Sequence, residues 1–181
     1  AVSNLTQILT DFLSYERLKE GKIPFEFSSF NLKVLANETI NAIQTILKPG
    51  QEIILDSEHM SVEDVYLDKQ ILRNLLLNLL SNSSKYSLED KFIYFNILSD
   101  DNKIEIRIKD DGIGIPLEEQ KNIFTRFFRA KNAENTQGTG LGLNIVKKYV
   151  EILNGEIRFI SEENVGTEFI IGLPNSKETN G

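Results

Sequence analysis

The 181-residue sequence has no cysteine. Disulfides, thiolate metal sites and cysteine nucleophiles are therefore excluded, and the composition fits a reducing compartment. Positive charge is scarce: 20 Lys and Arg stand against 27 Asp and Glu, a formal net charge of −7. That balance argues against nucleic acid or an anionic membrane surface as the main partner. No apolar run reaches the length of a membrane-spanning helix and no signal-peptide pattern is present, so the sequence as it stands is expected to be soluble. Only one histidine occurs, His59. Internal repeats are absent, and the only biased stretch is a polar tail over 175–181. What is present is an apolar fraction of 40%, enough for the core of one domain with a short appendage.

Apolar residues at helical spacing predict a first helix over 3–20, with Leu5, Ile8, Leu9, Phe12 and Leu13 on one stripe and Gly21 at its end. An amphipathic helix at the very start is expected to be either a piece of a longer protein or an ordinary first helix. A short strand is expected at Phe25–Phe27, then a helix over 31–48 stopped by Pro49-Gly50. Residues 52–56 and 62–67 read as strands around a polar turn that carries His59. Asp68 is placed to cap a helix over 69–84, buried through Ile71, Leu72, Leu75, Leu76, Leu79 and Leu80. On a neighbouring face Asn74, Asn78 and Asn82 recur every four residues, although asparagine prefers caps to helix interiors. Residues 92–98 and 103–109 form an expected hairpin. In its second strand Ile104, Ile106 and Ile108 alternate with charges. A short helix over 117–124, a polar segment over 130–137, a helix ending near Leu153 and a last hairpin of 156–161 with 167–173 complete the chain. Mixed elements with two antiparallel hairpins predict an α+β fold, one mostly antiparallel sheet covered by helices on one face.

The most distinctive stretch is Gly138-Thr139-Gly140-Leu141-Gly142-Leu143, which runs straight into the last helix. A glycine-rich turn feeding a helix N-terminus offers unpaired N–H groups and the positive end of a dipole to phosphate. The spacing matches neither the P-loop nor the dinucleotide fingerprint. Upstream lie Asn78-x-x-x-Asn82-x-x-Lys85-Tyr86 on a helix, Asp110-x-Gly112-x-Gly114 after a strand, and Phe124-x-x-Phe127.

In this order and at these separations the four segments resemble the N, G1, F and G2 boxes of sensor histidine kinases. Those belong to the ATPase/kinase superfamily with the Bergerat nucleotide-binding fold, a two-layer α/β sandwich. The resemblance runs from about Leu5 to Pro174. It implies that residues 1–22 are the end of the dimerisation and phosphoacceptor hairpin, that 23–174 form the ATP-binding catalytic domain, and that 175–181 are a tail. ATP and Mg2+ are the implied ligands. A hard cation takes oxygen donors, and the resemblance makes the Asn82 amide the direct Mg2+ ligand, with Asn78 on the same hydrated ion. Lys85 is implied to neutralise phosphate. Tyr86 is open to two roles, packing near base or sugar and plain core packing. Asp110 is implied to accept from the exocyclic amine of adenine, with Asp111 peripheral and Gly112 and Gly114 bending the backbone beneath the base. Phe124, Phe127 and Phe128 are expected to anchor a flexible lid over 130–137, their rings against the sheet-and-helix layer. Gly138, Thr139, Gly140, Leu141 and Gly142 are implied to hinge the lid and face the phosphates. Arg126 and Arg129 remain open between a phosphate or partner contact and ordinary surface.

Hydrolytic members of the superfamily carry a Glu general base where this chain has Asn78, an amide that accepts no proton at neutral pH. The resemblance therefore implies a protein-histidine kinase rather than a water-activating ATPase. A non-catalytic ATP-sensing module of the same fold is the alternative, and a serine kinase of the superfamily a weaker third. The implied partners are a phosphoacceptor dimerisation domain, a response regulator and a second copy of the full protein, with no nucleic acid and no membrane contact by this segment. The implied location is the cytoplasm, the membrane anchoring of the parent protein being left open. His59 is followed by Met60 in a turn and fits no acceptor motif.

Overall fold

A computed structural model describes residues 2–175, with side chains for residue 9 and from residue 12 onward. Helix α1 (Val2–Lys19) ends where expected. Gly21 adopts φ +63, and the N–H groups of Gly21 and Lys22 return to the carbonyls of Leu18 and Arg17. This is a Schellman stop, which needs a residue tolerant of the left-handed region. Tyr15 and Leu18 face the core, whereas Leu9, Phe12 and Leu13 are exposed; Leu5 and Ile8 of the same stripe lie outside the described side chains.

Two sheets follow. Strand β1 (Ser28–Asn31) pairs antiparallel with β3 (Asp64–Leu67). The main sheet has the order β2-β4-β5-β7-β6, with β2 Glu52–Asp56, β4 Phe92–Ser99, β5 Lys103–Asp110, β6 Glu156–Glu162 and β7 Gly166–Pro174. Only the β2–β4 pair is parallel, and both expected hairpins, β4–β5 and β6–β7, are antiparallel. Helices α2 (Leu32–Ile43), α3 (Lys69–Tyr86) and α4 (Gly142–Ile152) form the second layer. Side chains buried at their contact with the sheet include Phe95, Ile104, Ile106, Ile108, Leu75, Leu76, Leu79 and Val146. Burying one such side chain fully contributes about 1.5–3 kcal/mol. The other sheet face carries the alternating charges, including the Arg107–Glu105 pair.

Asn31 caps α2 by accepting from the Val34 N–H at 2.9 Å. Asp68 caps α3 through the Ile71 N–H at 2.9 Å, as its position before the apolar run requires. The second oxygen of Asp68 takes the Glu26 N–H at 2.6 Å. That bond removes Glu26 from strand pairing, and the expected strand at 25–27 lies instead at Ser28–Asn31. The expected helix at 117–124 is a 3-10 turn, Leu117–Asn122. Leu117 is 83% exposed, so the segment has no apolar stripe to hold a longer helix. Asn175, the first residue of the expected polar tail, is buried; its side chain accepts from the Tyr66 N–H and donates to the Asp100 carbonyl, and residues 176–181 lie outside the described residues.

Candidate functional site

The C-terminal half of α3, the loop after β5, residues 123–140 and the start of α4 enclose two joined chambers. The larger is about 740 Å3 and of mixed lining, with Asn78, Asn82, Lys85, Arg129, the Gly138–Gly140 turn and Gly142 as its polar side. The smaller, about 90 Å3, is lined largely by apolar groups, among them Ile113, Ile115, Ala133 and Phe169, with Asp110 on its wall. Asn82, Tyr86, Phe128 and Leu143 border both. One chamber suits a flat apolar ring and the other a charged chain.

Asp110 ends β5 and is 5% exposed. Burial pushes its carboxyl up to about 6; the Gly112 N–H, the Ser83 hydroxyl and the Thr167 N–H pull the other way, and the Asp111 charge adds to the rise. The Gly112 N–H donates to Oδ1 at 3.0 Å. A carboxylate has about four acceptor positions, so three internal donors leave capacity for one more, such as an exocyclic amine. Gly112 is required here because a Cβ would lie 2.5 Å from the Tyr86 carbonyl. Gly114 sits at φ +63 against the Glu162 backbone, with no room for a side chain.

A charge-assisted hydrogen bond contributes about 1.5–3 kcal/mol, so Asp110→Asn is expected to weaken adenosine and ATP binding at least about tenfold by calorimetry. The pH dependence follows from the sign of the shift. The folded state holds the Asp110 proton more tightly than the unfolded chain, so ionising it costs stability as pH rises from the ordinary carboxylate range to about 6. A bound N–H donor favours the carboxylate. Adenosine, with no phosphate to titrate, is expected to bind more tightly as pH rises to about 6 and to level off above it. Unchanged affinity in Asp110→Asn would remove the base from this chamber.

In the larger chamber the Asn78 side chain donates its Nδ2 hydrogen to the Asn74 carbonyl at 2.9 Å, which turns Oδ1 away from its own helix. A Cβ built on Gly142 would lie 3.5 Å from that oxygen and 3.7 Å from the Asn82 amide nitrogen. The two amides therefore face the start of α4 directly. Helix α4 has no side-chain cap and begins on the wall of the larger chamber at Gly142 and Leu143, so the positive end of its dipole faces that chamber's surroundings without a competing side chain. The Lys85 ammonium lies 4.8 Å above the Tyr86 ring. It is packed so close to Gly138 that any Cβ there would collide with it.

Three expected site residues stand elsewhere. Phe127 lines neither chamber: it adopts φ +62, and the residue is 55% exposed rather than laid on the sheet-and-helix layer. Its N–H donates to the Gly140 carbonyl at 3.0 Å, so its backbone and not its ring supports the turn. Phe124 and Phe128 do pack against the core. The Leu141 side chain is buried in that core, and its N–H donates to the Thr139 hydroxyl at 3.2 Å. Gly112 acts behind the chambers, through the contact with Tyr86 described above. Arg126 is stacked between the rings of Tyr15 and Phe127, 4.3 and 4.5 Å from their centroids. The Arg129 guanidinium donates to backbone carbonyls of the segment 130–137, those of Ala133, Glu134 and Thr136. That segment holds a 3-10 turn at Lys131–Ala133, and the Asn132 amide donates to the Gly114 carbonyl at 3.0 Å.

Residues 67–177 match the family described as Histidine kinase-, DNA gyrase B-, and HSP90-like ATPase. The chain belongs to this family. Within it, the likeness is to the ATP-binding domain of sensor histidine kinases. The chain is 30% identical over 175 residues to the circadian input-output histidine kinase CikA of Synechococcus elongatus, covering 94% of this chain and 23% of CikA. It superposes on the catalytic domain of histidine kinase ThkA with a TM-score of 0.71 at 29% identity, covering 83% of this chain and 97% of that domain. The Acinetobacter baumannii histidine kinase AdeS shares the fold, with a TM-score of 0.77 at 20% identity over 96% of this chain and 80% of that one. The chain spans less than a quarter of the length of CikA.

ATP is the ligand class of this family. Lys48 is a cleft residue that the motif pattern did not expose. The only local signal for it is the Pro49-Gly50 pair that follows.

Proposed function

We propose that this chain is the ATP-binding catalytic domain of a histidine autokinase. It holds Mg-ATP and hands the γ-phosphoryl to a histidine of the dimerisation domain. The bond from the γ-phosphorus to the bridging oxygen of ADP breaks, and a bond to the imidazole nitrogen forms. The observation that carries this is the neutral pair Asn78 and Asn82 facing the uncapped start of α4 across the larger chamber. Neutral amide oxygens beside a triphosphate suit a hard cation held mainly by the phosphates. No cluster of three His, Cys, Asp or Glu occurs among the described residues, so the ion would depend on the nucleotide for its charge. Mg2+, when bound, neutralises and orients the phosphates. Asn82 and Asn78 would hold it, Lys85 would offset phosphate charge, and Gly138, Thr139, Gly140 and Gly142 would present the turn. Asp110 would select adenine.

The absence of a carboxylate at position 78 favours an external nucleophile over water. The acceptor would lie on the first helix of a hairpin whose second helix ends in residues 1–22, with 23–174 as the catalytic body. A response regulator would then take the phosphoryl, and the full protein would be a homodimer working in the cytoplasm. No helix among the described residues is long and apolar enough to cross a membrane. The experiment is incubation of the chain with labelled ATP and a separately produced acceptor hairpin from its parent protein. Acid-labile label on the hairpin, dependent on Mg2+, is expected. Tight ATP binding with no transfer would instead make the chain a nucleotide-sensing module.

A further inference from the structure

Helix α3 brings its carbonyl end to the wall of the larger chamber. The last turn of a helix carries unpaired carbonyls and about half a negative charge. In a chain of net charge −7 that end should repel a triphosphate. The Ser83 carbonyl takes the Ser87 N–H and the Tyr86 carbonyl the Ile113 N–H, whereas those of Ser84 and Lys85 are taken up by one turn far away in sequence. Lys48-Pro49-Gly50-Gln51 closes through the Gln51 N–H on the Lys48 carbonyl at 3.0 Å, with Gly50 at φ +72. Proline followed by a glycine of positive φ is the type II pattern. The turn sets the Lys48 and Gln51 side chains side by side, and the Lys48 N–H donates to the Gln51 amide oxygen at 3.0 Å.

From there both reach the last turn of α3 and the two residues that follow it. The Gln51 amide donates to the carbonyls of Ser84 and Leu88 at 3.0 and 2.9 Å, and its oxygen accepts from the Ser84 hydroxyl at 2.7 Å. The Lys48 ammonium donates to the carbonyls of Lys85 and Ser87 at 2.7 and 2.5 Å. Lys48 also lines the larger chamber. Gln51 is buried and neutral, so it supplies geometry; Lys48 supplies a full positive charge at the negative end of the helix.

We propose that Lys48 is a positioning residue for nucleotide binding: its ammonium fixes the Lys85 backbone and cancels the α3 terminal field that the phosphates would meet. This rests on the assignment of the cleft to ATP. The expected signature is an effect that grows with phosphate charge and leaves the base alone. A charge at a helix terminus acts more strongly when partly buried, so Lys48→Met is expected to weaken ATP binding about fivefold at low salt. ADP should lose less, and adenosine should stay within about twofold of wild type, because it carries no phosphate charge and Lys48 does not line the smaller chamber. Lys48→Arg, which keeps charge and donors, should recover most of the ATP affinity, and added salt should narrow the gap between wild type and Lys48→Met.

Calorimetric titration of wild type, Lys48→Met and Lys48→Arg with adenosine, ADP and ATP is the test. If Lys48→Met does not fold, Lys48→Gln takes its place with the same expectation. Equal losses for adenosine and ATP would mean a merely structural turn and would overturn the proposal, as would an unchanged ATP affinity. Failure of wild type to bind ATP at all would overturn the assignment of the cleft instead.

Discussion

Asn82→Ala is expected to abolish Mg2+-dependent ATP binding and, with it, phosphoryl transfer to an added acceptor hairpin. Asn82 borders both chambers, and its amide faces the first residue of α4 beside Asn78. It stands where a metal ligand would see the phosphates and the turn at once. Loss of an outer-shell metal partner alone costs about 10- to 100-fold, so loss of a direct ligand should reduce transfer by about 100-fold or more. The fold should survive, because alanine is a better helix former than asparagine and the buried anchors Leu79 and Leu80 are untouched. The measurement is a nucleotide titration with Mg2+ and with chelator, alongside label on the hairpin. Wild type should bind more tightly with Mg2+, whereas the variant should show one weak, metal-independent affinity. Label that survives in Asn82→Ala would refute the metal assignment while leaving the base chamber standing.

Where the sequence was legible, short-range rules were sufficient. The alternation of Ile104, Ile106 and Ile108 places them all in the core, because a strand has period two and one face is covered. The six apolar positions of α3 are buried, and Asp68 caps it, because both depend on residues within one or two turns. Three of the four ordered segments, those with Asn78 and Asn82, Asp110 and Gly114, and Gly138 to Gly142, fall on the cleft, each a local pattern on one element or turn; the Phe124-x-x-Phe127 pair lines neither chamber. What escaped is non-local. Phe127 has the composition of a core residue, yet the close approach of Gly140 to its backbone turns its ring outward. The Asp68 bond to the Glu26 N–H moves β1 along by three residues. The polar stretch over 130–137 is tied by Arg129 to its own backbone carbonyls and by Asn132 to the loop after β5, contacts that its composition does not report. Lys48 meets the cleft through partners 37 and 39 residues later in the chain, a separation that no local pattern reports.

The chain alone, given Mg-ATP, is expected to bind it yet acquire no acid-labile phosphate. Transfer requires an imidazole nitrogen in line with the leaving oxygen at about 3–3.5 Å from the phosphorus. The single histidine of the sequence, His59, is exposed in the turn that follows β2, at Glu58-His59. It lines neither chamber. Hydrolysis should also be slow, because Asn78 cannot take a proton from water and its Nδ2 is already committed to the Asn74 carbonyl. Installing the missing base should change this: positioned general bases contribute about 10²- to 10⁴-fold, so Asn78→Glu should raise hydrolysis while lowering transfer to an added hairpin. The assay follows inorganic phosphate release and acid-labile label in parallel for wild type and Asn78→Glu. Label on the wild-type chain alone would show that His59, or another of its groups, reaches the γ-phosphate. Fast hydrolysis by wild type would mean that water is activated without a carboxylate at position 78, and the preference for an external nucleophile would fall.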